Sequence, residues 1–504
     1  MSQQPLPSFD GKTLTEEQCN ILDKASSGQS LIINAFAGTG KTFTLRALAS
    51  KPLSDKKGLY LALNKKIVDD ATTEFPESVE CRTIHSLAYR NVGVKYARDG
   101  RMKQFLNASI LCDKILKGSP DLFGVPPIRV CSMILSGIEE YCHSADTEIT
   151  RQHLNSINFA GVDAERVSEF RETLLYFINA VWELLNNSAS DLPITHSVYL
   201  KLWALKEPQL KYDYILVDEA QDQNPVVIDL LSRQSHLQQI WVGDKYQQIY
   251  GFRGAQNALE TIDIETRCSL TQSYRYGEEI AKYCNSLLGV HFGDNTDIKG
   301  FPGIKSALSD EFEPDAVICR SNFSVIAEVA YQTYIEKKKV SVNADVRALN
   351  SDLKEAQKLF DGRRSKHPDF IPFKDWFEVV SFSKTDDGVH LRTMVNLVEQ
   401  YSIPFLLALL YRVQSITEAH ADIVVTTAHQ AKGREWDIVR LADDFRGQGH
   451  SKYSEEEGRL LYVAATRAKN VLDISDCLAA ALPTPEVLTP ECTTELVENA
   501  IHRT

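Results

Sequence analysis

Short apolar runs alternate with helix-period stretches along most of this chain. Leu31, Ile32 and Ile33 form the first run, and Thr44, Leu45 and Leu48 recur at helical spacing after it, which predicts a buried strand followed by a helix. Gly58 to Asn64 (GLYLALN) predicts a second strand, and Glu80 to Ala88 (ECRTIHSLA) contains a third. From about Tyr89 to Pro208 the strand signal stops and helical periodicity takes over, as in Ala164 to Leu185, so an inserted helical subdomain is expected. Its aromatics, such as Tyr199, Trp203 and Tyr212, read as core. Strands resume at Tyr214 to Val217 and Ile240 to Val242. A second α/β unit opens with the strand Ala316 to Cys319 and resumes at Asp422 to Thr427. Between them, from about Val342 to Ala421, lies a charged, mixed stretch without strong periodicity, which reads as a second insertion. Glu455 to Lys469 predicts a helix with Leu460, Leu461 and Ala464 on its apolar side, ending at Thr466 and Arg467. After Cys477 the tail is rich in Pro, Thr and Glu, and is expected to be loosely ordered. The pattern is that of an α/β protein with parallel sheets.

The first strand runs into a loop of small residues, AFAGTGKT, from Ala35 to Thr42. Ala37, Gly38, Thr39 and Gly40 can turn backbone N–H groups inward around phosphate oxygens at a helix N-terminus, where the helix dipole also favours negative charge. Lys41 would reach the β- and γ-phosphates of a nucleoside triphosphate, and the Thr42 hydroxyl would bind Mg²⁺. The loop departs from G-x-x-x-x-G-K-[ST] at its first position, Ala35, where small size is kept. The strand Tyr214 to Val217 delivers Asp218-Glu219-Ala220-Gln221-Asp222. Asp218 suits the metal, and Glu219 suits a catalytic base acting on the attacking water. Gln247 could sense the γ-phosphate. In LTQSYRY, Tyr274 can stack on adenine while the Arg275 guanidinium neutralises the transferring phosphate. Two readings stand at Gln18: with Thr15 it completes a helix capping box, or its carboxamide faces an adenine edge.

Other polar residues sit where a second ligand could lie. Asn64, Lys65 and His85 follow predicted strands, and strand C-terminal ends line the ligand crevice of a parallel sheet; a solvated loop is the competing reading. Tyr250 and Phe252 beside Arg253, in a glycine-bounded loop, suit base stacking and backbone neutralisation on a single strand of nucleic acid. The basic run Arg363-Arg364-Ser365-Lys366 is open to either a solvated or a DNA-bound reading.

Composition narrows the class. With 504 residues, 43% of them hydrophobic, the chain can bury several cores, and about three or four domains fit its length. No stretch is long and apolar enough to span a bilayer, and MSQQPLPSFDGK lacks the basic and apolar regions of a signal peptide, so a soluble intracellular protein is expected. Ten cysteines occur without a C-x-x-C pair, which speaks against a zinc ribbon or iron–sulfur site; Cys131 and Cys142 read as helix residues in a reducing compartment. A net charge of −13 argues against a polyanion-coating protein but leaves room for a narrow basic groove.

The ordered set AFAGTGKT, TIHS, VDEAQD, VGDKYQQIYGFRGA, SYR, TTAHQAKGREW and LYVAATRA resembles the superfamily 1 DNA helicases of the UvrD/Rep type. NAFAGTGKT, ECRTIHSLAYR and YLKLW make it most similar to the helicase part of the F-box DNA helicases. The resemblance runs from Gln18 to about Ser475. It implies two RecA-like P-loop motor lobes with ATP between them, single-stranded DNA across their top, and inchworm movement from 3′ to 5′. The lobes would be residues 1–88 with 209–285, and 286–341 with 422–480; residues 89–208 and 342–421 would be the insertions, and 481–504 a tail. By matching position, Glu435 would bind the nucleotide sugar beside Gly433, Arg467 would act as arginine finger, and His429 would join the DNA-side residues. Phe252 stands where the family usually has Trp, and Ser273 where it has Asn. Too few residues precede Gln18 in this sequence for an F-box, so no ubiquitin-ligase role is expected, and the short second insertion speaks against a large swivelling subdomain.

The expected activity is therefore that of an ATP-dependent 3′–5′ DNA helicase, using ATP and Mg²⁺ on single-stranded or tailed duplex DNA in repair or recombination. One alternative is a translocase that strips recombinase filaments, or a single-strand-binding protein, with little unwinding. Another is an ATP-gated DNA-binding subunit of a larger complex. No nuclease motif is seen. The expected state is a monomer in solution, cytoplasmic or, in a eukaryote, nuclear.

Overall fold

The computed structural model describes residues 6–159, 162–251, 254–365, 367, 370, 373–385, 391–445 and 454–477. Phe252 and Arg253, part of the second insertion, Lys366 of the basic run, and the tail from 478 onward lie outside the described residues. The chain divides into two compact units, Met1–Ala35 with Gly40–Leu270, and Phe36–Thr39 with Thr271–Thr504. The helix Glu278–Phe292 belongs to the second unit.

In the first unit a short hairpin, β1 (Ser8–Phe9) and β2 (Lys12–Thr13), precedes a six-stranded sheet. The sheet contains β3 (Leu31–Ala35), β4 (Gly58–Ala62), β5 (Val79–Thr83), β6 (Tyr214–Val217), β7 (Gln238–Gly243) and β8 (Arg267–Leu270), in the order β5-β4-β6-β7-β3-β8 and all parallel. Period-2 alternation splits the side chains between two faces. Leu31, Ile33, Tyr60, Leu216 and Ile240 share one core with the helices Glu16–Ser26 and Lys41–Ser50. Ile32, Leu59, Leu61, Ile215 and Trp241 share the other with the helical region that includes Pro127–His143, Val167–Asn186 and His196–Ala204. The inserted helices thus cover one face of the sheet, as a parallel sheet buried on both sides requires. Tyr199 and Trp203 are buried there, and Cys131 and Cys142 are buried residues of Pro127–His143.

Buried charges hold the ends of these helices. Arg101 donates to the carbonyls of Leu185, Asn187 and Leu192, closing the C-terminal end of Val167–Asn186. Lys201 donates to Ser144 O at 2.7 Å and Asp146 O at 2.6 Å beyond Pro127–His143, and lies over the Tyr141 ring.

The second unit has its own parallel six-stranded sheet: β9 (Ala307–Leu308), β10 (Ala316–Cys319), β11 (Val340–Asn343), β12 (Ile423–Thr427), β13 (Trp436–Leu441) and β14 (Ala468–Asp473), in the order β11-β12-β10-β13-β14-β9. Two expectations need correction here. The stretch from 342 to 421 is periodic: Leu349, Leu353, Ala356 and Leu359 form the buried stripe of Val346–Phe360, and Trp376–Ser383, Arg392–Gln400 and Ile403–Val413 follow it. Charged residues between the stripe positions hide it in a linear reading, and these helices share one core with Val317, Val340 and Val425 of the sheet. The helix expected over Glu455–Lys469 ends at Ala465, and β14 starts at Ala468, because pairing of Ala468 with Trp436 claims the backbone for the sheet. Among the described residues no single helix is long and apolar enough to cross a membrane.

Burial pushes the Lys201 ammonium down to about 8 from its ordinary 10.5. Between those values the unfolded chain holds a proton that the folded chain lacks, so stability rises with pH there. Buried thiols such as Cys142 and Cys319, raised by burial, act in the opposite sense, so the Lys201 effect is read as a difference: in urea denaturation from pH 7 to 10 the wild type should gain stability relative to Lys201→Met as pH rises.

Candidate functional site

In the first unit three neighbouring strands, β6, β7 and β3, bring the acidic pair, the Gln247 loop and the glycine loop to one end of the sheet. Gly40 caps the helix Lys41–Ser50 in a left-handed conformation, with φ 79°, which costs glycine nothing. Lys41 Nζ donates to the Ala35 carbonyl at 2.6 Å, so the loop's own backbone holds the ammonium. Thr42 is half-buried in the first turn of that helix.

Asp218 lies just past β6 and is buried. Its Oδ2 accepts from the Tyr60 hydroxyl at 2.7 Å and its Oδ1 from the Glu219 amide at 2.9 Å. Burial, and then the neighbouring Glu219 charge, raise its carboxyl to about 6, although Tyr60 and Lys41 oppose the rise. Glu219 itself holds a left-handed backbone at φ 49°, a strain of about 1–2 kcal/mol for a non-glycine residue.

Gln221 links these groups to the next loop. Its Nε2 donates to the Glu219 and Asp222 carboxylates, and its Oε1 accepts from the Asp244 amide at 3.1 Å. Asp244 in turn accepts from Gln247 Nε2 at 2.8 Å. A Cβ on Gly243 would lie 2.2 Å from Gln221 Oε1 and 3.0 Å from the Ala220 amide, so a side chain there would displace Gln221 from its bond to the Asp244 amide. Tyr60, Gln221 and Asp244 had no assigned role in the sequence, and the only signal for the last two was their place in the polar runs after β6 and β7. At Gln18 the capping box is present, and the carboxamide also donates to Thr44 Oγ1 at 3.1 Å. Gln18 is 2% exposed.

The loop residues Phe36–Thr39 group with the second unit. Gly38 has φ 75°, and a Cβ on it would stand 2.5 Å from Arg275 Cβ and 2.6 Å from Ser273 Oγ. Ser273 Oγ donates to the Ala37 carbonyl, Tyr274 N donates to the Gly38 carbonyl at 2.8 Å, and Thr39 Oγ1 donates to Phe36 O. The Ala37 amide points at the buried Tyr462 hydroxyl, 3.4 Å away. Arg275 donates from Nε to Glu435 Oε2 at 2.8 Å and from Nη1 to Thr466 O at 3.1 Å. Two residues expected in separate roles are thus an ion pair. Gly433, just before Glu435, takes a left-handed backbone at φ 82°. Thr466 and Arg467, expected at the end of the helix, are buried. The Arg467 guanidinium donates to Val463 O, Arg434 O and Thr466 Oγ1, because the chain turns there from helix into β14.

Of the expected nucleic-acid residues, Asn64 caps the helix Lys65–Glu74 through its Oδ1, and Asn64 and Lys65 are both exposed after β4. His85 is half-buried after β5, with His196 and Tyr199 of the helical region at ring distances of 6.3 Å. Burial, then His196 and His143, lower its imidazole. Tyr250 is half-buried after β7, and His429 is half-buried after β12 in the second unit.

A glycine loop on a buried strand of a parallel sheet, with an acidic pair two strands away, defines the P-loop nucleotide-binding class, here with two RecA-like sheets. Residues 14–262 match the UvrD/REP helicase N-terminal domain and residues 327–479 the UvrD-like helicase C-terminal domain, and the chain belongs to this helicase family. It is 32% identical over 527 residues to the F-box DNA helicase protein 1 of Schizosaccharomyces pombe, covering 94% of this chain and 59% of that protein. It is also 32% identical over 512 residues to the F-box DNA helicase 1 of Gallus gallus, covering 92% and 49%. The chain thus spans about half the length of the curated relatives it matches.

Gly38→Ala should lower stability by about 2 kcal/mol or more, from the left-handed φ alone and then from the clash with Ser273 and Arg275. Chemical denaturation of the variant beside wild type measures it, and an unchanged midpoint would contradict this packing.

Proposed function

We propose that the chain hydrolyses ATP and uses the cycle to move 3′ to 5′ along single-stranded DNA, separating tailed duplexes in repair or recombination. The observation that carries this reading is the convergence of Lys41, Asp218, Glu219 and, through Asp244 and Gln221, Gln247 at one end of the first sheet. Family membership supports it, and so do the names of the two F-box DNA helicase relatives.

The donor set fits Mg²⁺. Thr42 and Asp218 offer hard oxygens. A site with few protein ligands suits an ion that keeps waters and shares phosphate oxygens. When bound, Mg²⁺ neutralises triphosphate charge. Lys41 exchanges the Ala35 carbonyl for phosphate oxygens, and backbone amides of Ala37 to Gly40 cradle them. Glu219 takes the proton of the attacking water from its place beside buried Asp218. Gln247 reports the γ-phosphate to the Tyr250 loop. Tyr274 stacks on adenine, with Gln18 available to the base edge only if it gives up its cap. Glu435 holds the sugar beside Gly433. Arg275 neutralises the transferring phosphate, and Arg467 serves as arginine finger after exchanging its carbonyl partners. Asn64, Lys65, His85, Tyr250, Phe252, Arg253 and His429 form the DNA side.

ATP hydrolysis by the purified chain should rise strongly on adding single-stranded DNA, and Lys41→Ala should lower it on the order of 100-fold. Hydrolysis indifferent to DNA would sink the motor reading in favour of an ATP-gated subunit. Tailed duplexes of both polarities then test direction, and strands with or without a bound recombinase separate unwinding from stripping.

A further inference from the structure

Two aromatic side chains stand exposed side by side in the second unit. Tyr274 is 41% exposed and Phe301 36%, with ring centroids 5.4 Å apart and planes tilted by 47°. What sets the pair apart from a singly exposed ring is that the two adjoin and form one small apolar surface. The local backbone is built to put it there. Ser273 N donates to Lys299 O at 2.8 Å, Lys299 N to Thr271 O at 3.0 Å, and Phe301 N to Tyr276 O at 2.8 Å, which laces 299–301 along 271–276. Gln272 Nε2 adds bonds to the carbonyls of Ser273 and Gly300. A Cβ on Gly300 would stand 2.3 Å from the Gly277 carbonyl carbon, so only glycine lets the two segments approach. The turn from Phe301 closes through Ile304 N to Phe301 O at 3.0 Å, and a Cβ on Gly303 would come within 2.7 Å of the Phe301 ring. Tyr274, for its part, is tied by its amide to the Gly38 carbonyl of the glycine loop.

We propose that Phe301 is a positioning residue for base recognition: packed beside Tyr274, it holds the tyrosine ring in the one orientation whose exposed face receives the purine of the bound nucleotide. The inference rests on the reading of Tyr274 as the base-stacking residue. A lone exposed tyrosine would lose rotamer freedom on binding, and a ring packed beside it removes that cost beforehand. The phosphates do not depend on Phe301, because backbone amides and Lys41 hold them.

The test measures dissociation constants of the full chain for a non-hydrolysable ATP analogue and for inorganic tripolyphosphate, which has no base. Phe301→Ala should weaken the ATP analogue roughly 3- to 10-fold, the scale of one aromatic pair, and leave tripolyphosphate within about twofold. Phe301→Trp should restore the analogue. Equal weakening of both ligands means a merely structural role and overturns the proposal. If Tyr274→Ala weakens the analogue while Phe301→Ala does not, the proposal fails and the reading of Tyr274 stands. If Tyr274→Ala changes nothing, that reading fails and takes the proposal with it.

Discussion

Tyr274 donates its amide to the Gly38 carbonyl at 2.8 Å, and Ser273 donates its hydroxyl to the Ala37 carbonyl at 3.0 Å. The first needs backbone against backbone and the second brings the Ser273 hydroxyl beside it, so Gly38 carries no side chain and takes a φ that other residues avoid. Much of the second unit's site follows from them. With the Ser273–Arg275 segment pinned to the loop, Tyr274 is left exposed beside Phe301, and Arg275 reaches Glu435 and the Thr466 carbonyl. Ser273 is small enough to serve in this role, with its hydroxyl facing the loop and its amide on Lys299. The glycines that suit a phosphate therefore also suit packing, and the loop's shape is set by both demands.

Charge is held in check by neighbours rather than by solvent. Burial, and then the neighbouring Glu219 charge, raise the Asp218 carboxyl to about 6. The Tyr60 hydroxyl and the Glu219 amide each occupy one of its oxygens, which orients the group. Gln221, wholly buried, holds Glu219 and Asp222 on one side and the Asp244 amide on the other, so the two loops after β6 and β7 cannot shift independently. Such a network has value only when complete, because an unpaired buried polar group costs about 1–3 kcal/mol. The Arg275–Glu435 pair is partly open to solvent, and its geometric role outweighs the modest energy of a screened ion pair.

Both units solve the same packing problem. A parallel sheet must be covered on both faces, and in each unit helices inserted between two of its strands join the core on one of those faces. In the first unit the helices between β5 and β6 share a core with Leu59, Ile215 and Trp241; in the second, those between β11 and β12 share a core with Val317 and Val425. Neither set of helices is an appendage with a separate core. Arg101 and Lys201, buried among the first set, spend their charges on helix-end carbonyls, which fixes where those helices stop.

Local chemistry determined what could be read from the residues alone. An apolar run ending in GTGKT, another ending in Asp-Glu and the order of the remaining motifs are properties of short segments, and they sufficed for the α/β class and the family. The strands Leu31–Ala35, Tyr214–Val217 and Ala316–Cys319 were legible because buried parallel strands are short unbroken apolar runs. The helices of 342–421 were not, since charges between the stripe positions blur a linear reading. Only the tertiary structure paired Tyr60 with Asp218, Arg275 with Glu435 and Phe301 with Tyr274, and turned Arg467 inward onto carbonyls. Those contacts join residues separated by 27 to 160 positions or arise where a helix gives way to a strand. A pairing between distant segments depends on sheet order and register, which the local sequence does not carry.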